Sequence, residues 1–384
     1  MLPIDAAEAR LVGRVWLPDA AGPSVVLVRA GALIDITALY PTMTDLLAAD
    51  LVTSFDDLDG DYLGPVADFL HEPTLMAAED RPHLLAPCDL QALKACGVTF
   101  ARSMVERVID EKTAGDSSRA DEIRHRIGEL IGNSLANVKA GSEAASQIKA
   151  VLQHENLWSQ YLEVGIGPDA EVFTKSQPMS AVGHGAYVGV NPISKWNNPE
   201  PEIVLAVNAK GEIKGATLGN DVNLRDIEGR SALLLGKAKD NNGSCAIGPF
   251  IRLFDAHFTL ADIETAMLTM KVSGTDGFVL EGSSNMAEIS RSPENLVAQT
   301  INRHHQYPDG LMLFLGTMFA PTQDRTTKGG GFTHQMGDVV EVSTQRLGTL
   351  RNIVNATDQA PAWKFGTRAL MQNLSARGLL AGES

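Results

Sequence analysis

Apolar and polar positions alternate at strand spacing over residues 11–38, in RLVGRVWLP and SVVLVRAGALIDIT, with Gly and Pro between the runs. From Met43 to about Phe69 the period lengthens, and TMTDLLAADLV and ADFL carry apolar residues at helical spacing. The two patterns predict a small N-terminal α+β domain over residues 1–85. Residues 86–156 read as a helical connecting region, in DLQALKACGVTFARSMVERVIDEK, DEIRHRIGELIGNSLANV and GSEAASQIKAVLQ. TAGDSS at 113–118 interrupts it with the turn chemistry of a mobile loop. Beyond Leu157 the texture changes to short apolar runs separated by Gly, Pro, Asn and Asp: AYVGV, EIVLAVN, EIKGATLG, ALLLG, LTMKVSG, GLMLFLG and DVVEVST. Strands at such regular spacing predict a β-rich domain over residues 157–384, closed or sandwich-like. The fold class expected is therefore α+β. No internal repeat, heptad run or low-complexity tract occurs.

Composition narrows the function classes. The chain has 384 residues, enough for two or three domains with a substantial core, and its 44% hydrophobic and 21% charged residues are ordinary for a globular protein. A net charge of -15 argues against nucleic acid and anionic membranes as partners. It does not argue against an anionic substrate, because a bound divalent cation would set the local field. Cys88, Cys96 and Cys245 follow no metal-ligand spacing and are too few for a disulfide framework, which suits a reducing cytoplasm. The first residues, MLPIDAAEARLVGRVWLP, lack the basic flank and apolar run of a signal peptide, and no apolar stretch of about 18 residues suggests a membrane span.

The most informative segment is NNPEPEIVLAVNAKGEIKGATLGNDVNLRD, residues 197–226. Residues i and i+2 of a strand share a face, so Glu200 and Glu202 project together. AKG at 209–211 is a turn signal between two alternating runs, which predicts a hairpin. With Asn208 opposite Glu212, Glu200 falls opposite residue 220 and Glu202 opposite residue 218, within one or two residues of register. Asp221 then arrives beside both glutamates at the open end of the ladder. Three converging carboxylates repel one another without a cation. Oxygen ligands with no His or Cys nearby suit magnesium, with manganese or calcium as alternatives, rather than zinc.

PEPEIVLAV, GNDVNLRD and KDNNGSCAIGPF together resemble the E-x-E, G-N-D-V-x-x-R-D and lysine-to-G-P signatures of the fumarylacetoacetate hydrolase superfamily. GLMLFLGTMFAPTQD is similar to the family's strand and Gly-Thr turn, and MGDVVEVSTQRLGTLRNIV to its closing segment, so the resemblance covers roughly residues 160–357 in the family's order. It implies a mixed β-roll catalytic domain, metal carboxylates at Glu200, Glu202 and Asp221, and an active-site lysine at Lys239, with Lys237 a solvated neighbour. It also implies at least a dimer, a homodimer or homotetramer.

The hydrolases of this family carry a lid that looks like N-Y-x-D-H-x-x-E, whose His and Glu activate water. The counterpart here is TFARSMVE at 99–106, where Glu106 is retained, Ser103 stands at the histidine position and Arg102 at the preceding acid. A serine hydroxyl has no pKa near neutrality and cannot replace imidazole as the base. The same replacement resembles the superfamily's sugar-acid dehydratases, which act on 2-keto-3-deoxy pentonates of the D-arabinonate and D-xylonate type. By that resemblance the reaction is loss of water from the 2-keto acid to give 2-oxoglutarate semialdehyde in non-phosphorylative pentose breakdown. The alternative is hydrolysis of the C–C bond of an acylpyruvate or a 2,4-diketo sugar acid. For the dehydration, Lys239 as base and Glu106 as acid is the preferred pairing, with the reverse open. Thr317 in the LGTMFAP turn is a candidate donor to the substrate carboxylate, Lys175 in EVFTKSQP a candidate pocket residue, and Ser103 and Arg102 candidate substrate contacts on the lid. Arg225 reads as a structural salt-bridge partner of a nearby carboxylate. KGGGFTH at 328–334 lacks the ending of a phosphate loop, GIGP at 165–168 is no dinucleotide fingerprint, and His304 and His305 read as surface residues.

Overall fold

The structure is a computed structural model that describes residues 1–51, 54–70, 80–114, 116, 138–154, 158–319, 321–326 and 331–380, apart from the side chains of residues 101, 102 and 110. All but Val138 of the helix expected over 121–138, and residues 115, 117 and 118 of the loop expected at 113–118, lie outside the described residues.

The first three strands fall where the alternation places them: β1 Leu11–Leu17, β2 Gly22–Arg29 and β3 Ala32–Asp35. The helical reading of 43–69 holds only for Met43–Ala48, which Thr42 and Asp45 start with a reciprocal capping box. Further on, the described residues form 3-10 turns at Phe55–Asp57 and Val66–Phe69 and strand β4 Asp61–Pro65. Next come β5 His83–Leu85 and β6 Ala92–Cys96. The latter corrects the helical reading of the stretch from Asp89. Leu93 and Ala95 are fully buried, and β6 pairs in parallel with β16 Leu311–Phe314, so a long-range strand partner overrides helical spacing. Helices Ala101–Thr113, Glu143–His154 and Gln160–Ile166 follow.

The remaining strands are β7 Val172–Ser176, β8 Tyr187–Val190, β9 Asn197–Asn198, β10 Pro201–Val207, β11 Ile213–Asp221, β12 Asn223–Leu224, β13 Cys245–Leu253, β14 Met267–Ser273, β15 Val279–Asn285, β17 Val339–Thr344 and β18 Gly348–Ala356. ALLLG is not among them. None of its leucines is buried, Leu233 is 95% exposed, and the Ser231 hydroxyl accepts from the Leu233 N–H to begin a 3-10 turn that runs into helix Leu235–Lys239.

One mixed sheet runs β4-β3-β2-β1-β13-β11-β10-β16-β6-β7, with β5 also paired to β1. The expected domain boundary at residue 85 thus falls between strands of one sheet, and β1 hydrogen-bonds directly to β13. A second sheet runs β15-β14-β17-β18-β8. Strand β10 is buried at every position and has apolar packing on both faces. Ile203, Leu205 and Val207 join Met270, Val272 and Val340 of the second sheet, whereas Val204 and Ala206 pack with Val12, Val25 and Leu27. Alternation places Glu200 and Glu202 on the latter face.

Candidate metal centre

The turn after β10 is built by Asn208, whose Oδ1 accepts from the N–H groups of Lys210 and Glu212, both at 3.0 Å, with Gly211 at φ +79°. Asn208 sits opposite Glu212 as expected, but the ladder then shifts at a bulge between Ala206 and Val207. Beyond it Glu202 lies opposite Gly219 rather than Leu218, and the Asp221 N–H donates to the Glu200 carbonyl at 2.9 Å. Without the bulge Asp221 would face the other side of the sheet from the glutamates, because one residue of slip inverts every side chain. With it, ligand oxygens of Glu200, Glu202 and Asp221 lie within 4.8 Å of one another, each residue 1% exposed.

Cations crowd two of the three acids. Lys239, at the end of helix Leu235–Lys239, donates to Glu200 and, at 2.9 Å, to Asp221 Oδ2. Arg107 of helix Ala101–Thr113 donates to Glu200 and pairs with Glu228 at 3.0 Å. Lys175 of β7 lies 3.0 Å from Asp221 Oδ1 and hydrogen-bonds to the Lys239 carbonyl and, at 3.2 Å, to Ser244 Oγ. The 3.0 Å approach is an ion pair without hydrogen-bond alignment, so Asp221 Oδ1 is buried with no donor. Glu202 receives neutral donors, the Gly316 N–H at 2.7 Å and the Thr317 hydroxyl at 3.3 Å.

Burial pushes Glu202 well above the usual carboxylate range, and the charges of Asp221 and Glu200 push the same way. Glu200 is equally buried, yet Lys239 and Arg107 outweigh the burial and hold it well below that range. Burial works against the Lys239 ammonium, but Asp221 and Glu200 raise its pKa above the ordinary value. A buried, donorless Asp221 oxygen and a Glu202 that resists ionisation fit an additional cation, and the all-oxygen donor set is that of a hard divalent ion.

Of the residues singled out in the sequence, Glu200, Glu202, Asp221, Lys239, Lys175 and Thr317 come together here. Ser103 is buried beside them and donates to the Thr317 carbonyl, while the Arg102 side chain lies outside the described residues. Glu106 is drawn to Arg225, whose Nη2 donates to its Oε2 at 2.9 Å while the guanidinium stacks 4.2 Å over the Trp196 ring. Lys237, His304 and His305 are exposed.

Three charged residues went unnoticed. Arg107 follows Ser103 by one helical turn, a spacing that puts both on one face and would have flagged it. Glu228 lies on the short helix Arg225–Glu228 just after the G-N-D-V-x-x-R-D run. Glu171, immediately before β7, carries no motif. Burial pushes its carboxyl up to about 7, with Glu228 adding to the rise and Arg107 and Lys239 opposing it. Gly97 makes room for it: a Cβ there would stand 1.9 Å from Glu171 Oε2.

Known proteins match this chain at three levels. The profile of the fumarylacetoacetate (FAA) hydrolase C-terminal family matches residues 148–355. A probable 2-keto-3-deoxyxylonate dehydratase of Haloferax volcanii is 29% identical over 259 residues, 67% of this chain and 84% of that protein. A 2-dehydro-3-deoxy-D-arabinonate dehydratase of Saccharolobus solfataricus is 33% identical over 180 residues, 47% of this chain and 57% of that protein. Among solved structures, a 2-keto-3-deoxy-D-arabinonate dehydratase complexed with magnesium and 2,5-dioxopentanoate superposes with a TM-score of 0.61 at 21% identity, over 90% of this chain and 99% of that one. A fumarylacetoacetate hydrolase from psychrophilic Exiguobacterium antarcticum gives 0.56 at 16% identity, over 91% and 100%. At these identities the structural likeness speaks for the fold. The profile spans more than half the chain and contains every member of the carboxylate cluster together with Lys239 and Lys175, and on that ground the chain belongs to the fumarylacetoacetate hydrolase family.

Proposed function

We propose that the protein is a magnesium-dependent hydro-lyase that dehydrates a 2-keto-3-deoxy pentonate of the D-arabinonate or D-xylonate type to 2-oxoglutarate semialdehyde, a step of non-phosphorylative pentose catabolism. The observation that carries this reading is the buried Glu200–Glu202–Asp221 cluster with Lys239 hydrogen-bonded to two of its members, in a chain whose curated relatives are both named as dehydratases of such acids. The Ser103 hydroxyl, engaged by the Thr317 carbonyl where a hydrolase would hold its histidine, supports elimination over water activation.

A magnesium ion held by the three carboxylates would act as a Lewis acid on the keto acid end of the substrate and acidify the hydrogens on carbon 3. The chain's own residues have the remaining work. One must take a proton from carbon 3, and one must give a proton to the departing 4-hydroxyl. The resulting 5-hydroxy-2-oxo-3-enoate then becomes the semialdehyde by moving a proton from carbon 5 to carbon 3 and passing from enol to aldehyde. Lys239 Nζ, hydrogen-bonded to Asp221 at 2.9 Å, is assigned the donor: Asp221 and Glu200 raise its pKa, and its ammonium becomes a stronger acid once a divalent cation neutralises those carboxylates. Two carboxyls compete for the acceptor. Glu106 is the one the lid motif implies, but its Oε2 is already engaged by Arg225. Glu171, pushed up to about 7, can both lose and regain a proton near neutrality, and the reading favours it. Arg107 and Thr317 are proposed to orient the substrate carboxylate, with Lys175 holding Asp221 and the Lys239 carbonyl in place.

The test is semialdehyde formation from 2-keto-3-deoxy-D-pentonate, with and without EDTA, by the parent and by Lys239→Met, Glu171→Gln and Glu106→Gln. Loss of turnover on chelation and in Lys239→Met is expected, with Glu171→Gln more damaging than Glu106→Gln. Pyruvate release from an acylpyruvate, without semialdehyde formation, would place the protein among the C–C bond hydrolases instead. The three cysteines are free and buried, which supports a reducing cytoplasm, and among the described residues no helix is long and apolar enough to cross a membrane. A homodimer or homotetramer is proposed from the family resemblance alone.

A further inference from the structure

The metal face of the hairpin continues one rung beyond the acids. Glu202 pairs with Gly219, Glu200 accepts from Asp221, and Asn198 pairs with Asn223 in the same antiparallel register. These two asparagines belong to a separate two-stranded sheet, β12-β9, that keeps the hairpin's pairing sum, so alternation carried across Pro199 and Val222 puts them on the side that carries Glu200 and Asp221, roughly 7 Å further along. Both are 0% exposed. Asn198 Nδ2 donates to the Pro199 carbonyl at 2.9 Å, but Asn198 Oδ1 has no donor, and neither Nδ2 nor Oδ1 of Asn223 has a partner. Buried amide groups left unpaired cost about 1–3 kcal/mol each, so an adjacent cluster of them calls for a ligand that both donates and accepts.

We propose that Asn198 and Asn223 form a hydroxyl-binding subsite that grips the terminal hydroxyl of the substrate and selects hydroxylated over unsubstituted 2-keto acids. A hydroxyl offers one donor and acceptor lone pairs, which match Asn198 Oδ1 and Asn223 Nδ2. The reach is right: a five-carbon chain spans about 5 Å from its carboxyl carbon to its last carbon. A keto acid end at the carboxylate cluster therefore brings the 5-hydroxyl to the amides. Loss of the 4-hydroxyl leaves the 5-hydroxyl in place. It becomes a carbonyl only on the later shift to the semialdehyde, which still accepts from Asn223 Nδ2 but no longer donates to Asn198 Oδ1, so the subsite favours the substrate over the product. The inference rests on the reading that the cluster grips a 2-keto acid through a cation.

The experiment compares two acids that lack a 4-hydroxyl and cannot be dehydrated, 5-hydroxy-2-oxopentanoate and 2-oxopentanoate. Their affinities for the magnesium-loaded protein are measured by calorimetry. The parent should bind the hydroxylated acid about tenfold more tightly. In Asn198→Leu and Asn223→Leu the ratio should fall to near one, and in Asn223→Ser, which removes little volume beyond the amide and keeps a hydroxyl, to an intermediate value. Asn223→Ser carries the test if the leucine variants do not fold. A parent without preference, variants that keep the full ratio, or failure of both acids to bind would each overturn the subsite. A parent that prefers the hydroxylated acid yet forms no semialdehyde from 2-keto-3-deoxy-D-pentonate has the subsite but is not the dehydratase.

Discussion

Arg225 donates to Glu106 at 2.9 Å and thereby ties the short helix that follows the metal strand to helix Ala101–Thr113. Both partners are buried, so breaking the pair by removing one half costs about 3–5 kcal/mol, whereas a well-packed apolar pair in its place is near neutral. Arg225→Met should therefore lower stability by about 3 kcal/mol, with the stacking on Trp196 lost as well. Glu106→Leu introduced into Arg225→Met should restore part of that loss. Urea unfolding of the two single variants and the double variant measures it, and strict additivity would show that the pair is not coupled.

Metal binding should reverse the sign of a carboxylate's contribution. In the metal-free protein Glu202 resists ionisation, because burial and then the charges of Asp221 and Glu200 oppose its negative form. Glu202→Gln should leave the metal-free protein no less stable than the parent while removing a ligand. Magnesium at a hundredfold excess over its Kd should stabilise the parent by about 2.7 kcal/mol through mass action and do little for the variant. Thermal melts with and without magnesium decide this, and an equal magnesium shift in both proteins would exclude Glu202 as a ligand.

Gly97 donates its N–H to the Glu171 carbonyl at 3.2 Å and leaves space for that residue's carboxyl. In Gly97→Ala the new methyl would meet Glu171 Oε2 at 1.9 Å and Cδ at 2.6 Å, so the carboxyl must give up its place. Displacing a proton carrier costs on the order of a hundredfold in kcat, while the flexible end of a side chain can yield with a stability change below about 1 kcal/mol. Parallel turnover and unfolding measurements separate the two. Unchanged kcat in a folded Gly97→Ala protein would take Glu171 out of the chemistry.

The carboxylate cluster was legible because its signal is local: an E-x-E on one strand face, a turn, and an aspartate about one strand length later. Its exact geometry was not. The bulge between Ala206 and Val207 that turns Asp221 toward the glutamates leaves no mark in a chain whose flanking residues all read as strand. Strand β6 was missed for a related reason, since Leu93 and Ala95 fit either period and only the distant partner β16 settles the matter. The cations around the cluster arrive from helix Ala101–Thr113, from β7 and from helix Leu235–Lys239, which tertiary packing brings together. Lys239 and Lys175 were found through motifs. Arg107 and Glu171 were not, and Glu171 is set apart by burial, which no spacing rule encodes.

His184 gives the fold a pH dependence independent of the metal centre. Its Nδ1 accepts the Arg351 N–H at 3.2 Å, so the ring is a neutral acceptor, and burial holds its pKa down to about 4, with the N-terminal ammonium and Arg351 adding to the effect. The unfolded chain takes up this proton near pH 6.5 and the folded chain only near pH 4. Its contribution is therefore fully present above about pH 6.5 and lost progressively as the pH falls from there toward 4. With partial solvent access discounted, the loss amounts to about 2 kcal/mol. His334, buried with its pKa also lowered, acts in the same direction. In His184→Asn the amide oxygen can replace Nδ1 as acceptor but cannot titrate. The variant should start with a small deficit at pH 8 and close that deficit, or overtake the parent, by pH 5. Subtracting the two urea-unfolding curves at each pH removes the carboxylates common to both, and a difference that stays constant from pH 8 to 5 would show that His184 protonates alike in the folded and unfolded chains.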